Sequence, residues 1–188
     1  MGMIVMQEIK PGVSFILDGQ PFIALKSEFS KSGRNAAVMK LKIRNLFSGQ
    51  IIESVYKAAD KVEEIVLDLR PMQFSYQEGD NYIFMDNETF DQVEVRKEDL
   101  GTAVNYIVDN MEMEMGFYEG RAVDVRLPIT VERVITETEP GLKGDTTGRT
   151  LKRAKIETGY ELMVPLFCEN GTKIKIDTRN GEYLERVK

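Results

Sequence analysis

Arg34 is the residue in this sequence best placed to act on something outside the chain. It stands alone at the apex of Lys31-Ser32-Gly33-Arg34-Asn35, a short polar turn between two segments of strand character. Gly33 permits the positive φ of a tight turn there and leaves the guanidinium unobstructed. Between Lys26 and Arg44 lie six basic residues and one acidic residue, Glu28, in a chain whose formal net charge is −6. A basic, extended element on an acidic protein is the electrostatic footprint of a surface that touches phosphates.

The elements that must hold this tip are readable on both sides. Phe22-Ile23-Ala24-Leu25-Lys26-Ser27-Glu28-Phe29 carries the β-branched and aromatic residues of a strand. Ala37-Val38-Met39-Lys40-Leu41-Lys42-Ile43-Arg44 alternates apolar and basic side chains with period two, which predicts one buried face and a second face shared by Lys40, Lys42 and Arg44. The same alternation also suits a solvated strand on which lysine discourages edge-to-edge aggregation.

Other chemistries find little support. The chain has no histidine, so it lacks the usual neutral-pH general base, the imidazole metal ligand and any Ser-His or Cys-His arrangement. Its one cysteine, Cys168, lies in the apolar run Val164-Pro165-Leu166-Phe167-Cys168 and reads as a small core residue. The segment 141–148 has glycines without the spacing or the Lys-Ser/Thr ending of a phosphate-binding loop. The carboxylates Glu63-Glu64, Glu98-Asp99 and Glu112/Glu114 lack a second cluster of matching spacing and read as solvated faces. No metal or cofactor is expected, and no enzymatic activity. Apolar stretches fall short of the roughly 18 residues of a membrane span, so a cytoplasmic protein without a membrane partner is expected.

Charge divides the chain in three. Residues 1–65 carry +2, residues 66–128 carry −9 and residues 129–188 carry +1. Lobes of unlike charge in so short a chain predict three small domains with these bounds, the outer two being candidates for nucleic-acid contact. Short strand patterns recur at Val13–Leu17 before Asp18-Gly19, at 73–76 and 81–85 around Glu78-Gly79-Asp80, at 123–127, at 129–135, at 158–165 and at 173–177, which predicts small β-barrels. One helix is predicted from Lys97, with Leu100, Val104, Ile107 and Val108 on one face, plugging a barrel end. The long turn-rich segment from Thr138 to Thr150 is of a length that usually serves function or moves.

Four stretches together closely resemble bacterial translation elongation factor P: Lys31 to Val38, Tyr82 to Gln92, Thr138 to Thr146, and Asp177-Thr178-Arg179-Asn180-Gly181-Glu182-Tyr183. The family's C-terminal signature is also met by Lys152-x-Ala154, Gly159, Leu162, Val164-Pro165 and Gly171, with Cys168 where an aliphatic residue is usual. The resemblance covers the chain end to end. It implies a mostly β protein of three barrels, an N-terminal KOW/SH3-like barrel followed by two OB-folds, with an L-shaped outline similar to that of a tRNA. It further implies a monomeric factor that binds the ribosome between the peptidyl and exit sites and stimulates peptide-bond formation at consecutive prolines. Many members carry a modified lysine at the tip, whereas Arg34 resembles the subgroup in which arginine is rhamnosylated by a glycosyltransferase using dTDP-rhamnose.

Carried onto this sequence, the resemblance makes Arg34 the modified residue and Lys31, Ser32, Gly33 and Asn35 its presenting loop. Lys40 and Lys42 become candidates for contact with tRNA phosphates, and the sugar on Arg34 for contact with the CCA end or backbone of the peptidyl-tRNA. Gly144, Asp145 and Thr146 match a loop that approaches mRNA at the exit site, and Tyr183 and Arg186 match positions near tRNA and the small subunit. On local chemistry alone Asp145 equally suits an Asx-turn, and Tyr183 a strand position half in a core. Two rivals are a paralogue of the same architecture with a different stall specificity, and a sugar- or phosphate-transferring enzyme. The second would need clustered titratable groups that the absent histidines and scattered carboxylates do not offer, and an enzyme acting on a small neutral substrate would be nearly indifferent to salt, where a phosphate-gripping factor loses affinity steeply.

Overall fold

The computed structural model describes residues 2–31, 36–139 and 151–187. The chain divides into two compact units, Met1–Leu69 with Gly116–Asp124 and Arg70–Met115 with Val125–Lys188. The first holds a six-stranded, barrel-like sheet of β1 (Gly2–Val5), β2 (Ser14–Leu17), β3 (Gln20–Ser30), β4 (Val38–Asn45), β5 (Ile51–Lys57) and β6 (Lys61–Ile65), in the order β1-β6-β2-β3-β4-β5. Asp18 and Gly19 both adopt positive φ, which suits the right-handed twist of a two-residue hairpin and fixes the Leu17↔Gln20 register. Met39, Leu41 and Ile43 of β4 enter a core with Met6, Ile9, Phe15, Phe22, Ala24 and Val62, which turns Lys40 and Lys42 outward as the alternation requires.

Arg44 departs from that expectation. Its guanidinium donates to Asp124 Oδ1 at 2.7 Å, and the two side chains are only 23% and 10% exposed. Residues 116–124 pack beside the end of β4, where Phe47 lies 6.0 Å from Tyr118 and Arg121 sits 4.8 Å over the Phe47 ring. Arg44 thus belongs to an internal ion pair rather than to the open basic face.

The middle of the chain forms β7 (Asp68–Glu78), β8 (Asn81–Asp86), β9 (Gln92–Arg96), β10 (Glu112–Tyr118) and β11 (Arg121–Arg126), ordered β11-β10-β7-β8-β9. The strand patterns at 73–76, 81–85 and 123–127 fall within β7, β8 and β11, apart from Leu127. The acidic alternation is the solvent side of β10, whose Met113 and Met115 are buried while Glu112 and Glu114 are exposed. The predicted helix is much shorter than its periodicity suggests. An α-helical turn α1 (Lys97–Leu100) ends at Gly101, which adopts φ 54°, and a 3₁₀ segment continues to Asn105. A glycine in that conformation terminates the α-helix, yet Leu100, Ala103, Tyr106 and Ile107 are still buried. The apolar pattern therefore reported burial correctly and helix length incorrectly.

The last sheet contains β12 (Thr130–Thr138), β13 (Leu151–Ile156), β14 (Glu161–Pro165), β15 (Lys173–Asp177) and β16 (Glu182–Arg186), ordered β14-β13-β12-β15-β16. The strand predicted from Thr158 starts only at Glu161, because Gly159 turns the chain with φ 88°. Val131, Ile135, Ala154, Ile156, Leu162, Val164, Cys168, Ile174 and Ile176 fill its core. Within the same unit, buried Arg133 of β12 holds the segment that follows α1. Its Nε donates to the Tyr106 carbonyl at 3.0 Å, Nη2 reaches the same oxygen, and Nη2 also meets Met111 Sδ at 3.1 Å. Tyr106 in turn packs edge-on against Tyr160, and Thr158 Oγ1 donates to the Asn105 carbonyl at 2.6 Å.

One turn occurs three times. β4, β8 and β15 end on Asn45, Asp86 and Asp177, all buried, and each side-chain Oδ1 accepts from backbone N–H groups just ahead. Asn45 accepts from Phe47 and Ser48, Asp86 from Glu88 and Thr89, and Asp177 from Arg179. In each turn the fourth residue on donates to the Asx carbonyl: Gly49 to Asn45, Phe90 to Asp86 and Gly181 to Asp177. Those three residues adopt φ of 72°, 63° and 76°. The sequence hides this repeat, because side-chain identity is kept only at the Asx position.

Arg179 grips the Asp177 carboxylate with Nε and Nη2, and this pairing with the backbone N–H brings the Asp177 pKa down to about 2. A depressed carboxylate contributes stability that is complete above the unfolded value of ~3.9 and fades as pH falls through the folded one. The variant D177N is therefore expected to melt below the parent at neutral pH, with the gap closing between about pH 4 and pH 2. Melting curves across that range, or carboxyl chemical shifts placing the Asp177 midpoint, check this directly.

Candidate nucleic-acid interface

The β3–β4 hairpin presents the basic face. Lys26 pairs in register with Lys42, Glu28 with Lys40, and Ser30 with Val38, after which the connecting residues begin. A bulge between Ala24 and Lys26 leaves Leu25 as the extra residue and sharpens the local twist. On the other side of β4, Lys42 faces Glu53 and Val38 faces Lys57 of β5. Lys26, Lys40, Lys42 and Lys57 therefore share one sheet face, with Lys31 exposed at the start of the tip loop.

Carboxylates temper this face. Lys40 Nζ lies 2.9 Å from Glu53 Oε1 and Lys26 Nζ 2.6 Å from Glu28 Oε1, all four side chains at least half exposed. The hydrogen bond from Lys40 pulls the Glu53 carboxyl below its ordinary value and raises Lys40, while the hydrogen bond from Lys26 lowers Glu28. Four lysines against two carboxylates leave a cationic surplus, and solvent-exposed pairs of this kind are weak enough to yield to phosphate. Sequence reasoning missed Lys57 and the partner Glu53, since β5 was not recognised as the neighbouring strand.

Ser32, Gly33, Arg34 and Asn35 lie outside the described residues, as do Gly144, Asp145 and Thr146. Tyr183 and Arg186 come together on β16. Tyr183 is half-buried and hydrogen-bonds to Cys168, whose thiol is pushed up by complete burial. Its ring therefore sits half in a core, while Arg186 is exposed. At the base of the 138–150 segment, buried Lys152 donates from Nζ to the Glu139 carbonyl at 2.9 Å. Among the described residues no group of three or more His, Cys, Asp or Glu side chains is arranged to hold a metal ion, and no helix is long and apolar enough to cross a membrane. What the arrangement offers is a cationic sheet face on the β3–β4 hairpin, suited to binding polyanions.

Comparison with known proteins matches the chain to three family models along its length. Residues 5–62 match the elongation factor P KOW-like domain, 67–125 the elongation factor P OB domain and 131–186 the elongation factor P C-terminal domain. Elongation factor P of Fusobacterium nucleatum is 52% identical over 186 residues, which is 99% of this chain and 100% of that protein. The chain belongs to the elongation factor P family. Other elongation factor P relatives include those of Bordetella petrii, 49% identical over 96% of this chain and 97% of its own, and Nitrosomonas europaea, 50% identical over 97% and 98%. Among solved structures, eukaryotic translation initiation factor 5A from Methanococcus jannaschii aligns over 67% of this chain and 94% of its own, with TM-score 0.49 and 21% identity. As a member of the elongation factor P family, this chain is a translation elongation factor, mostly β, with a KOW-like and an OB domain among its parts.

Proposed function

We propose that this elongation factor binds the ribosome between the peptidyl and exit sites and relieves stalling at consecutive prolines through Arg34. The observation that carries the reading is the basic face of the β3–β4 hairpin, whose exposed Lys40 and Lys42 lie on the stem that leads to the loop containing Arg34. Proline is a constrained and poorly reactive donor and acceptor. A factor that fixes the peptidyl-tRNA end in an attack-ready geometry removes an entropic part of the barrier without performing chemistry itself. The bond-forming step remains the ribosome's, and the factor is no enzyme.

In this reading Arg34 is rhamnosylated by an arginine glycosyltransferase using dTDP-rhamnose, with Lys31, Ser32, Gly33 and Asn35 presenting it. The sugar lengthens the tip and adds hydroxyls that reach the CCA end or tRNA backbone. Lys40 and Lys42 meet tRNA phosphates, Gly144, Asp145 and Thr146 approach mRNA at the exit site, and Tyr183 and Arg186 lie near tRNA and the small subunit. Half-burial of Tyr183 favours a supporting role for it and a contact role for Arg186. The domains are 1–65, 66–128 and 129–188, within a cytoplasmic monomer.

The test uses protein purified from its native host, with peptide mass spectrometry across Lys31 to Lys40 and translation of a reporter carrying consecutive prolines. A deoxyhexose on Arg34 together with faster passage through the prolines is the expected result. Bare Arg34 in an active factor would sink the modification, and no effect on the prolines would sink the function.

A further inference from the structure

Phe90 breaks the pattern of the threefold turn. At the position where the other two turns carry Gly49 and Gly181, the middle turn carries a phenylalanine at φ 63°. The left-handed region is unfavourable for a bulky side chain, and such strain persists where something other than local geometry keeps the residue. Among the described residues the other non-glycine positions at positive φ are Asp18, Asn110 and Glu119, polar residues in turns. Packing does not explain the choice, because Phe90 is 70% exposed. Among the described residues its ring meets no other aromatic ring and no cation.

Its surroundings specify what would cover it. Glu88 and Asp91 lie on either side of Phe90 in the chain, both exposed and neither in an ion pair among the described residues. Arg70 lies 4.0 Å from the buried Asp86 carboxylate at the start of the turn. Residues 66–128 as a whole carry −9. An exposed aromatic ring between two exposed carboxylates in the chain, on an acidic stretch, repels phosphates and so disfavours nucleic acid. It suits an arginine or lysine that stacks on the ring while pairing with the carboxylates. The molecule makes such a stack itself in the first turn of the set, where Arg121 lies over Phe47.

We infer that Phe90, with Glu88 and Asp91, is a docking anchor for an arginine- or lysine-bearing surface of a basic ribosomal protein. The inference rests on the ribosome binding proposed above and names a protein contact for it.

The experiment compares the full-length parent with F90G, F90N and F90W on purified 70S ribosomes stalled at consecutive prolines, alongside melting curves. Glycine and asparagine tolerate the left-handed region, so F90G and F90N should melt within about 2 °C of the parent or above it. Their affinity should fall roughly tenfold, as for a central aromatic contact, while F90W stays within about threefold of the parent. A photoreactive benzoylphenylalanine at position 90 should cross-link to a ribosomal protein. Unchanged affinity of F90G and F90N overturns the anchor, as does a loss of more than about 5 °C in their Tm, which would make the ring structural. Cross-linking to RNA overturns the choice of partner. A parent that fails to bind stalled ribosomes overturns the function proposed above, and this inference with it. A parent that binds no better than F90G overturns the anchor alone.

Discussion

Replacing Arg34 with alanine is expected to lower the rate of peptide-bond formation at consecutive prolines by roughly ten- to a hundredfold relative to the parent factor. The melting temperature should stay within about 2 °C, because the β3–β4 ladder ends at the Ser30–Val38 pair and the core beneath it is built from Met39, Leu41 and Ile43. The loss should appear in the catalysed rate more than in ribosome affinity. In the proposed mechanism the basic face of Lys26, Lys40, Lys42 and Lys57 keeps the sequence-independent grip in the variant, while the tip provides the geometry. Lysine is expected to fail as a substitute. Its ammonium is a point charge on a flexible stem and lacks the planar guanidinium that an arginine-modifying enzyme must recognise. Single-turnover kinetics on a proline-stalled complex separates the two quantities, and an R34A factor as fast as the parent would remove the tip from the mechanism.

Arg133→Ala is expected to destabilise the protein by about 3 kcal/mol. Arg133 is 6% exposed and gives two donors to the Tyr106 carbonyl. Alanine leaves that carbonyl short of donors in an apolar setting and opens a cavity beside Met111 and Tyr106. R133M separates the two terms, since it refills most of the volume and supplies no donor. If R133M recovers nearly all of the loss in urea denaturation, packing dominates. If it recovers less than half, the hydrogen bonds do. A loss for R133A below about 1 kcal/mol would mean that the carbonyl finds another partner.

The outward basic face was legible because β4 alternates strictly, Met39, Leu41 and Ile43 going in and Lys40 and Lys42 out. The fate of Arg44 was not, since its carboxylate partner lies 80 residues away in sequence. Periodicity placed Leu100 and Ile107 in a core, yet it missed that Gly101 would end the helix there. β5, β6, β9 and β10 went unread for a common reason. Glu53, Glu63, Glu94 and Glu114 interrupt them with charge, and only pairing with a neighbouring strand makes such segments extended. Arg133 reads in the sequence as one more charged residue on an alternating strand; only the chain packed against it reveals an inward guanidinium. Phe90 is invisible for the opposite reason, because a backbone angle carries no sequence signal when the usual glycine is absent.

The threefold turn also bears on the order in which the chain assembles. Each copy joins hydrogen-bonded groups only four residues apart, Asn45 to Gly49, Asp86 to Phe90 and Asp177 to Gly181. Closing so short a loop forfeits little chain entropy and takes on the order of tens of nanoseconds, far less than the search for distant strand partners. Every sheet thus carries its own early nucleus, formed before the long-range pairings are found. The first nucleus needs nothing beyond Gln50, and the six strands around it are complete by Ile65. At about 5–20 residues per second, seconds remain before the last strand is synthesised. The N-terminal sheet therefore has time to order while the rest of this translation factor is still being translated.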